Sequence, residues 1–165
     1  MVIWIIGISG SGKSTLGNML KKHFDEKKIK SQIIDGDTVR TFFEDDLGYS
    51  FEDRQQNIKR ILLASYFLEK NGVIPIICNI GPFESLRIFA RDKFEDYIQI
   101  YLHKEIESAK KNDVKNVYKE NINVTPIVGL DLLFEEPKIN ELFLRVDQES
   151  KEDSLKRIID YVETR

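Results

Sequence analysis

Nine residues near the N-terminus, Gly7-Ile8-Ser9-Gly10-Ser11-Gly12-Lys13-Ser14-Thr15, narrow the choice of fold more than any other stretch. They fit G-x-x-x-x-G-K-[ST] at every fixed position. They also stand between the apolar run Val2–Ile6 and a helix-forming segment from Leu16. A buried strand, a glycine-rich turn and a helix in that order make the opening of a βαβ unit, and hence of a parallel sheet. Glycines let consecutive N–H groups face inward, and the following helix adds its positive N-terminal dipole. The motif predicts a phosphate-binding loop for ATP built from Gly7, Ser9, Gly10, Ser11, Gly12, Lys13, Ser14 and Thr15. Lys13 is expected on the β- and γ-phosphates and the Ser14 hydroxyl on Mg²⁺.

The rest of the chain keeps that alternation. Strands are expected at Ser31–Ile34, Val73–Cys78, Tyr97–Leu102 and Leu142–Val146, making five with the first. Helices are expected at 14–25, from Ser50 to Asn71-Gly72, from Pro82 to about 94, at 105–111 and at 154–162. Ser50 with Asp53 three residues on reads as a capping box. Residues from about 112 to 137 show no sustained period, and so long an irregular stretch in a compact domain is usually a lid. The reading is α/β: one domain over 1–165, with a mostly parallel five-stranded sheet flanked by helices.

Composition excludes several classes. With 41% hydrophobic and 32% charged residues the chain is globular, and a net charge of −3 offers no general attraction to nucleic acid. No run approaches the roughly 20 apolar residues of a membrane span. The single cysteine, Cys78, ends an apolar strand and is expected to be buried and inert, consistent with a cytoplasmic protein. His23 and His103 do not form a metal pair.

In parallel α/β sheets, ligands bind beyond the carboxyl ends of the strands. That rule gathers the phosphate loop, Asp35-Gly36-Asp37, residues 79–83 and the loop from 112 onto one edge. Two carboxylates beside a phosphate loop can hold Mg²⁺ and accept a proton from an attacking hydroxyl, although Asp-Gly-Asp is also an ordinary turn. Arg54 and Asn57, three apart on one helix, share a face; with Arg40 they form a set able to clamp an anion.

Three blocks carry a resemblance: Gly7–Thr15; Asp35-Gly36-Asp37-Thr38-Val39-Arg40; and Asp46-Leu47-Gly48-Tyr49-Ser50 with Asp53-Arg54 and Asn57-Ile58-Lys59-Arg60. In order and spacing they resemble adenylylsulfate (APS) kinases, whose pattern reads G-L-S-G-S-G-K-S-T, D-G-D-N-V-R and D-L-G-F-S-x-x-D-R-x-x-N-I-R-R. The resemblance implies a P-loop kinase fold and transfer of the ATP γ-phosphate to a ribose 3′-hydroxyl of a small nucleotide. It implies Lys13, Asp35 and Asp37 as catalytic residues, with Ser14 and Asp35 as metal contacts. Asp37, Arg40, Arg54 and Asn57 would hold the acceptor, with Tyr49 at its base, Ile80-Gly81-Pro82 beside it and Ile127 over it. It also suggests a homodimer.

The departures lie on the acceptor side. Gly81 stands where the family has serine, Asn112 where it has the arginine of its nucleotide grip, and Ile127 where a phenylalanine closes over adenine. Lys110 and Lys111 are near enough in sequence to replace the arginine. Phe83, Tyr118 or Phe134 is placed to replace the lost ring. A stacked ring is worth about 1–3 kcal/mol, so its loss weakens APS binding by roughly ten- to a hundredfold. This shifts the expected acceptor toward cytidine diphosphoramidate, a substrate of related kinases in capsule phosphoramidate synthesis, with true APS kinase as the alternative. A non-catalytic nucleotide-binding regulatory module is disfavoured because Lys13, Ser14, Asp35 and Asp37 are all present, and a sugar or shikimate type of kinase would share the phosphate loop only.

Overall fold

A computed structural model describes residues 1–111, 128–129 and 132–165. Five strands, β1 (Val2–Ile6), β2 (Ser31–Asp35), β3 (Ile74–Cys78), β4 (Tyr97–His103) and β5 (Leu142–Arg145), form one sheet in the order β2-β3-β1-β4-β5. Every pairing is parallel. The helices are α1 (Lys13–Glu26), α2 (Gly36–Phe42), α3 (Phe51–Lys70), α4 (Glu84–Lys93), α5 (Ile106–Lys111) and α6 (Lys151–Glu163).

Successive side chains of a strand leave opposite faces of the sheet, and each face here carries its own helices. Val2, Trp4 and Ile6 of β1 point into a core shared with Ile58, Ile61 and Leu62 of α3 and Leu86 and Ala90 of α4. Ile3 and Ile5 point the other way, into Leu16, Leu20 and Phe24 of α1 and Ile158 and Val162 of α6. All five β1 side chains are fully buried, as a strand covered on both faces requires. Helix α1 lies so close to the sheet that a Cβ on Gly17 would overlap Cys78 Sγ. Burial drives the Cys78 thiol up to about 12, which makes it the inert core residue expected.

Pro75 sits inside β3 without breaking the sheet. It faces Gln32 of β2, and pairing with β1 begins only at Ile76, one residue later. Ser50 caps α3 by accepting from Asp53 N at 3.1 Å, as the capping box predicts. Two details differ from the expected elements. Residues 36–42 are helical, because Asp35 Oδ1 accepts from Asp37 N at 2.8 Å and turns the end of β2 straight into α2. The final helix starts three residues earlier than expected, where Ser150 accepts from Asp153 N. The greater part of the expected lid, including Ile127, Asn112 and Tyr118, lies outside the described residues, as do the side chains of Lys110 and Lys111. No helix among the described residues is long and apolar enough to cross a membrane.

Candidate active site

The carboxyl ends of β1, β2 and β3 deliver three segments to one edge. Between β1 and α1 the chain wraps as a loop in which Gly10 and Gly12 take φ of 74° and 91°, a region costly for residues with a Cβ. Lys13 is buried and turns its ammonium back over this loop, donating to Ile8 O at 2.7 Å and reaching Ser11 Oγ at 3.5 Å. The loop is fastened to the next segment by Gly7 N, which donates to Ile80 O at 3.2 Å. A second cation, Lys104 after β4, donates to Gly10 O at 2.9 Å. Beyond it runs a groove of about 220 Å³, lined by Gly12, Thr15, Lys104, Val146, Glu149 and Ser154 among others. Lys104 and the β5–α6 loop were not anticipated from sequence. Their approach to the phosphate loop is a contact between distant segments with no motif to announce it.

Asp35 and Asp37 flank the start of α2. Asp35 spends Oδ1 on its own helix cap. With the exposed Ser14 they offer hard oxygen donors, and Mg²⁺ is ordinarily bound by one or two carboxylates together with substrate phosphates and water. No cluster of three or more His, Cys, Asp or Glu side chains that could hold a metal ion occurs among the described residues.

Two of the expected acceptor side chains, Arg40 and Arg54, collect around Tyr49. The Arg40 guanidinium lies 4.6 Å and that of Arg54 5.3 Å from its ring centroid. Burial, and then the neighbouring Arg40 charge, hold Arg54 below the usual arginine range. Two guanidiniums on one ring concentrate positive charge at a single place, which suits an anionic ligand. Arg40 is only 6% exposed, and its Nη1 donates to Leu47 O and Gly48 O, so much of its work is to fold the 43–50 loop around the ring. Asn57 Nδ2 donates to Gly36 O at 3.1 Å and ties α3 to the Asp-Gly-Asp turn.

Ile80-Gly81-Pro82 continues from β3. Gly81 takes φ of 58°, and a Cβ there would come within 2.6 Å of Ile6 Cγ2 and 3.3 Å of Trp4 Cζ2. Its glycine thus has a packing cause as well as a missing hydroxyl. Phe83 is buried edge-on to Phe51 at 4.7 Å, and Phe134 stacks on Tyr101 at 5.6 Å, so two of the three rings expected as substitutes for the lid ring are already engaged, and the third, Tyr118, lies outside the described residues.

The model of the family described as adenylylsulphate kinase matches residues 1–145. The chain belongs to the adenylylsulphate kinase family. Among relatives of that name, the protein from Picosynechococcus is 33% identical over 161 residues, covering 96% of this chain and 91% of its own length. The one from Bacillus pumilus is 34% identical over 165 residues, covering 98% and 84%. The Mycobacterium tuberculosis APS kinase CysC, solved in complex with AMPPNP and APS, superposes with a TM-score of 0.90 at 28% identity, covering 98% of this chain and 96% of that one. Shikimate kinase from Aquifex aeolicus, 18% identical with a TM-score of 0.59, shares the fold. The adenylylsulphate kinase relationship makes the chain a phosphotransferase acting on a hydroxyl acceptor, with ATP as donor.

Proposed function

We propose that the chain transfers the γ-phosphate of ATP to the ribose 3′-hydroxyl of an activated nucleotide. The observation that carries this is the placement of the phosphate loop and the Asp35-Gly36-Asp37 turn at the carboxyl ends of β1 and β2, with the Arg40–Tyr49–Arg54 cluster gathered where α2 leads into α3. Phosphoryl transfer asks the protein mainly for positioning and charge stabilisation. Lys13 leaves Ile8 O and Ser11 Oγ for the β- and γ-phosphates, where its charge offsets the negative charge carried onto ADP. Asp37, exposed at the start of α2, takes the proton as the hydroxyl oxygen forms its bond to phosphorus and the bond to the β-phosphate oxygen breaks. Ser14 and Asp35 would hold Mg²⁺, which supplies neutralisation of the phosphate oxygens. The Arg40–Arg54 pair holds the acceptor's anionic end, and Tyr49 supports its base. Lys104 and the β5–α6 groove accommodate the donor's nucleoside.

The acceptor we favour is cytidine diphosphoramidate. Gly81 has no room for a hydroxyl-bearing side chain, and the lid residue Ile127 is aliphatic, which suits a pyrimidine better than a purine. The second reading, adenylylsulphate itself, is favoured by the names of the relatives and by the APS complex of the tuberculosis enzyme. Parallel steady-state kinetics with the two acceptors decide between them, with Lys13→Ala as the inactive control. A kcat/KM for the cytidine compound at least about tenfold above that for APS is expected from one lost stacking face. The reverse order restores the APS reading, and transfer to neither removes the kinase assignment in favour of a regulatory module. We also read the protein as a cytoplasmic homodimer, to which the exposed Leu63, Phe67, Ile88 and Phe89 on α3 and α4 would contribute; sedimentation as a monomer at micromolar concentration would refute it.

A further inference from the structure

Two amides flank Gly36, and each is oriented by a partner that leaves no choice. Asn57 is 4% exposed and donates from Nδ2 to the Gly36 carbonyl at 3.1 Å. Asn79, directly after β3, accepts on Oδ1 from the Trp4 indole N–H at 2.8 Å. A carbonyl only accepts and an indole N–H only donates, so the oxygen and nitrogen of each amide are fixed. What remains is one acceptor, Asn57 Oδ1, and one donor, Asn79 Nδ2. Both are buried and without a hydrogen-bond partner among the described residues. Both residues stand beside Gly36: a Cβ there would lie 3.6 Å from Asn57 Nδ2 and 3.7 Å from Asn79 Cβ. Gly36 lies between the two carboxylates at the heart of the site. Buried polar atoms are nearly always paired, and an unmet donor and an unmet acceptor on two residues flanking Gly36 suit a group that both accepts and donates.

We propose that Asn57 and Asn79 together receive the second hydroxyl of the acceptor's ribose, so that Asn79 is a specificity-determining residue selecting ribonucleotides over 2′-deoxynucleotides. The inference rests on the nucleotide 3′-hydroxyl kinase reading above. A ribose presents two adjacent hydroxyls. With the 3′-oxygen at the Asp35-Gly36-Asp37 turn, its 2′-neighbour falls beside Gly36, where a hydroxyl accepts from Asn79 Nδ2 and donates to Asn57 Oδ1. A hydrogen atom at that carbon leaves both amides unmet, and the discrimination follows from that difference.

The test compares cytidine diphosphoramidate and APS, each beside its 2′-deoxy counterpart, in wild type, Asn79→Leu and Asn79→Asp. The aspartate keeps an oxygen for Trp4 and removes the donor, so it serves if the leucine variant fails to fold. Wild type is expected to prefer the ribo form by about tenfold or more in kcat/KM. In either variant that preference should fall to within about threefold, through loss of the ribo substrate, with KM for ATP unchanged. A purely structural role would lower both acceptors together and keep the ratio. An unchanged ratio in a folded variant, or a wild type indifferent to the 2′-hydroxyl, overturns the inference while leaving the kinase reading standing. No transfer from wild type to any of the four nucleotides removes that reading and this inference with it.

Discussion

Gly81 shows how one residue's chemistry depends on its neighbours. Read in the sequence alone, it marks a missing hydroxyl next to the acceptor. In the fold it occupies a left-handed backbone conformation, with Ile6 Cγ2 and Trp4 Cζ2 where a side chain would begin, and its carbonyl accepts from Arg87 Nη1 at 2.5 Å. Both neighbours lie on β1, the central strand, and cannot withdraw. Returning the serine of the family pattern therefore combines an unfavourable φ with overpacking, and Gly81→Ser should destabilise the protein by about 1–3 kcal/mol. Urea unfolding monitored by circular dichroism measures this, and a midpoint equal to wild type would show that the turn relaxes freely. The Lys13 ammonium is governed by its surroundings in the same way. Its contacts with Ile8 O and Ser11 Oγ keep a buried charge hydrogen-bonded while holding it beside the loop it serves.

Among the elements, Arg87 is the most heavily used link between α4 and the segment around Glu135. Arg87 is 2% exposed and donates from Nη1 to Gly81 O, from Nη2 to Glu135 O, and from Nε and Nη2 to the Glu84 carboxylate. Glu135 completes the latch through its own N–H to Pro82 O at 3.0 Å. One planar fork thus joins the acceptor-side turn, the start of α4 and the chain leaving the lid, a task suited to guanidinium and not to ammonium. Arg87→Lys keeps the charge but cannot serve three directions at once. It should cost about 2–4 kcal/mol by leaving buried carbonyls and a carboxylate unmet. A thermal melt within a degree or two of wild type would show that the latch is dispensable.

At the scale of the whole molecule, the β5 edge of the sheet is held by Glu141. Burial works against its charge, but bonds from Arg91 and from Gln99 N at 2.8 Å outweigh that and hold the carboxyl below its ordinary value of 4.5. A carboxylate with a depressed folded value binds fewer protons folded than unfolded. Its contribution is therefore present above about pH 4.5 and is lost as pH falls through the lower folded value. Glu141→Gln should be less stable than wild type at pH 7 by about 1–3 kcal/mol, and the gap should narrow as pH falls below 4.5 and close once the folded carboxylate is protonated. Urea titrations at a series of pH values from 7 down into acid supply the comparison. A difference that does not shrink in acid would mean the side chain acts through packing, not charge.

The parallel α/β class, the phosphate loop and the boundaries of most strands and helices were legible in the residues because each rests on local chemistry. Apolar strands covered on both faces, glycines at a strand-to-helix turn and Ser–x–x–Asp caps act over a few neighbouring positions. Helix α2 escaped notice because its signal, Asp35 capping Asp37 N across a glycine, is also that of a turn, and the surroundings of Gly36 chose between them. The candidate site divides along the same line. Arg40, Arg54 and Asn57 could be named from their residue types and spacing and Tyr49 from the family resemblance, but only the fold set two guanidiniums on one ring and turned Arg40 toward Leu47 O and Gly48 O. Lys104 against Gly10 O, Arg87 between three segments and Asn79 on Trp4 join residues up to 94 positions apart. Such contacts carry no local period, so they are determined only when the order β2-β3-β1-β4-β5 brings the strand ends together.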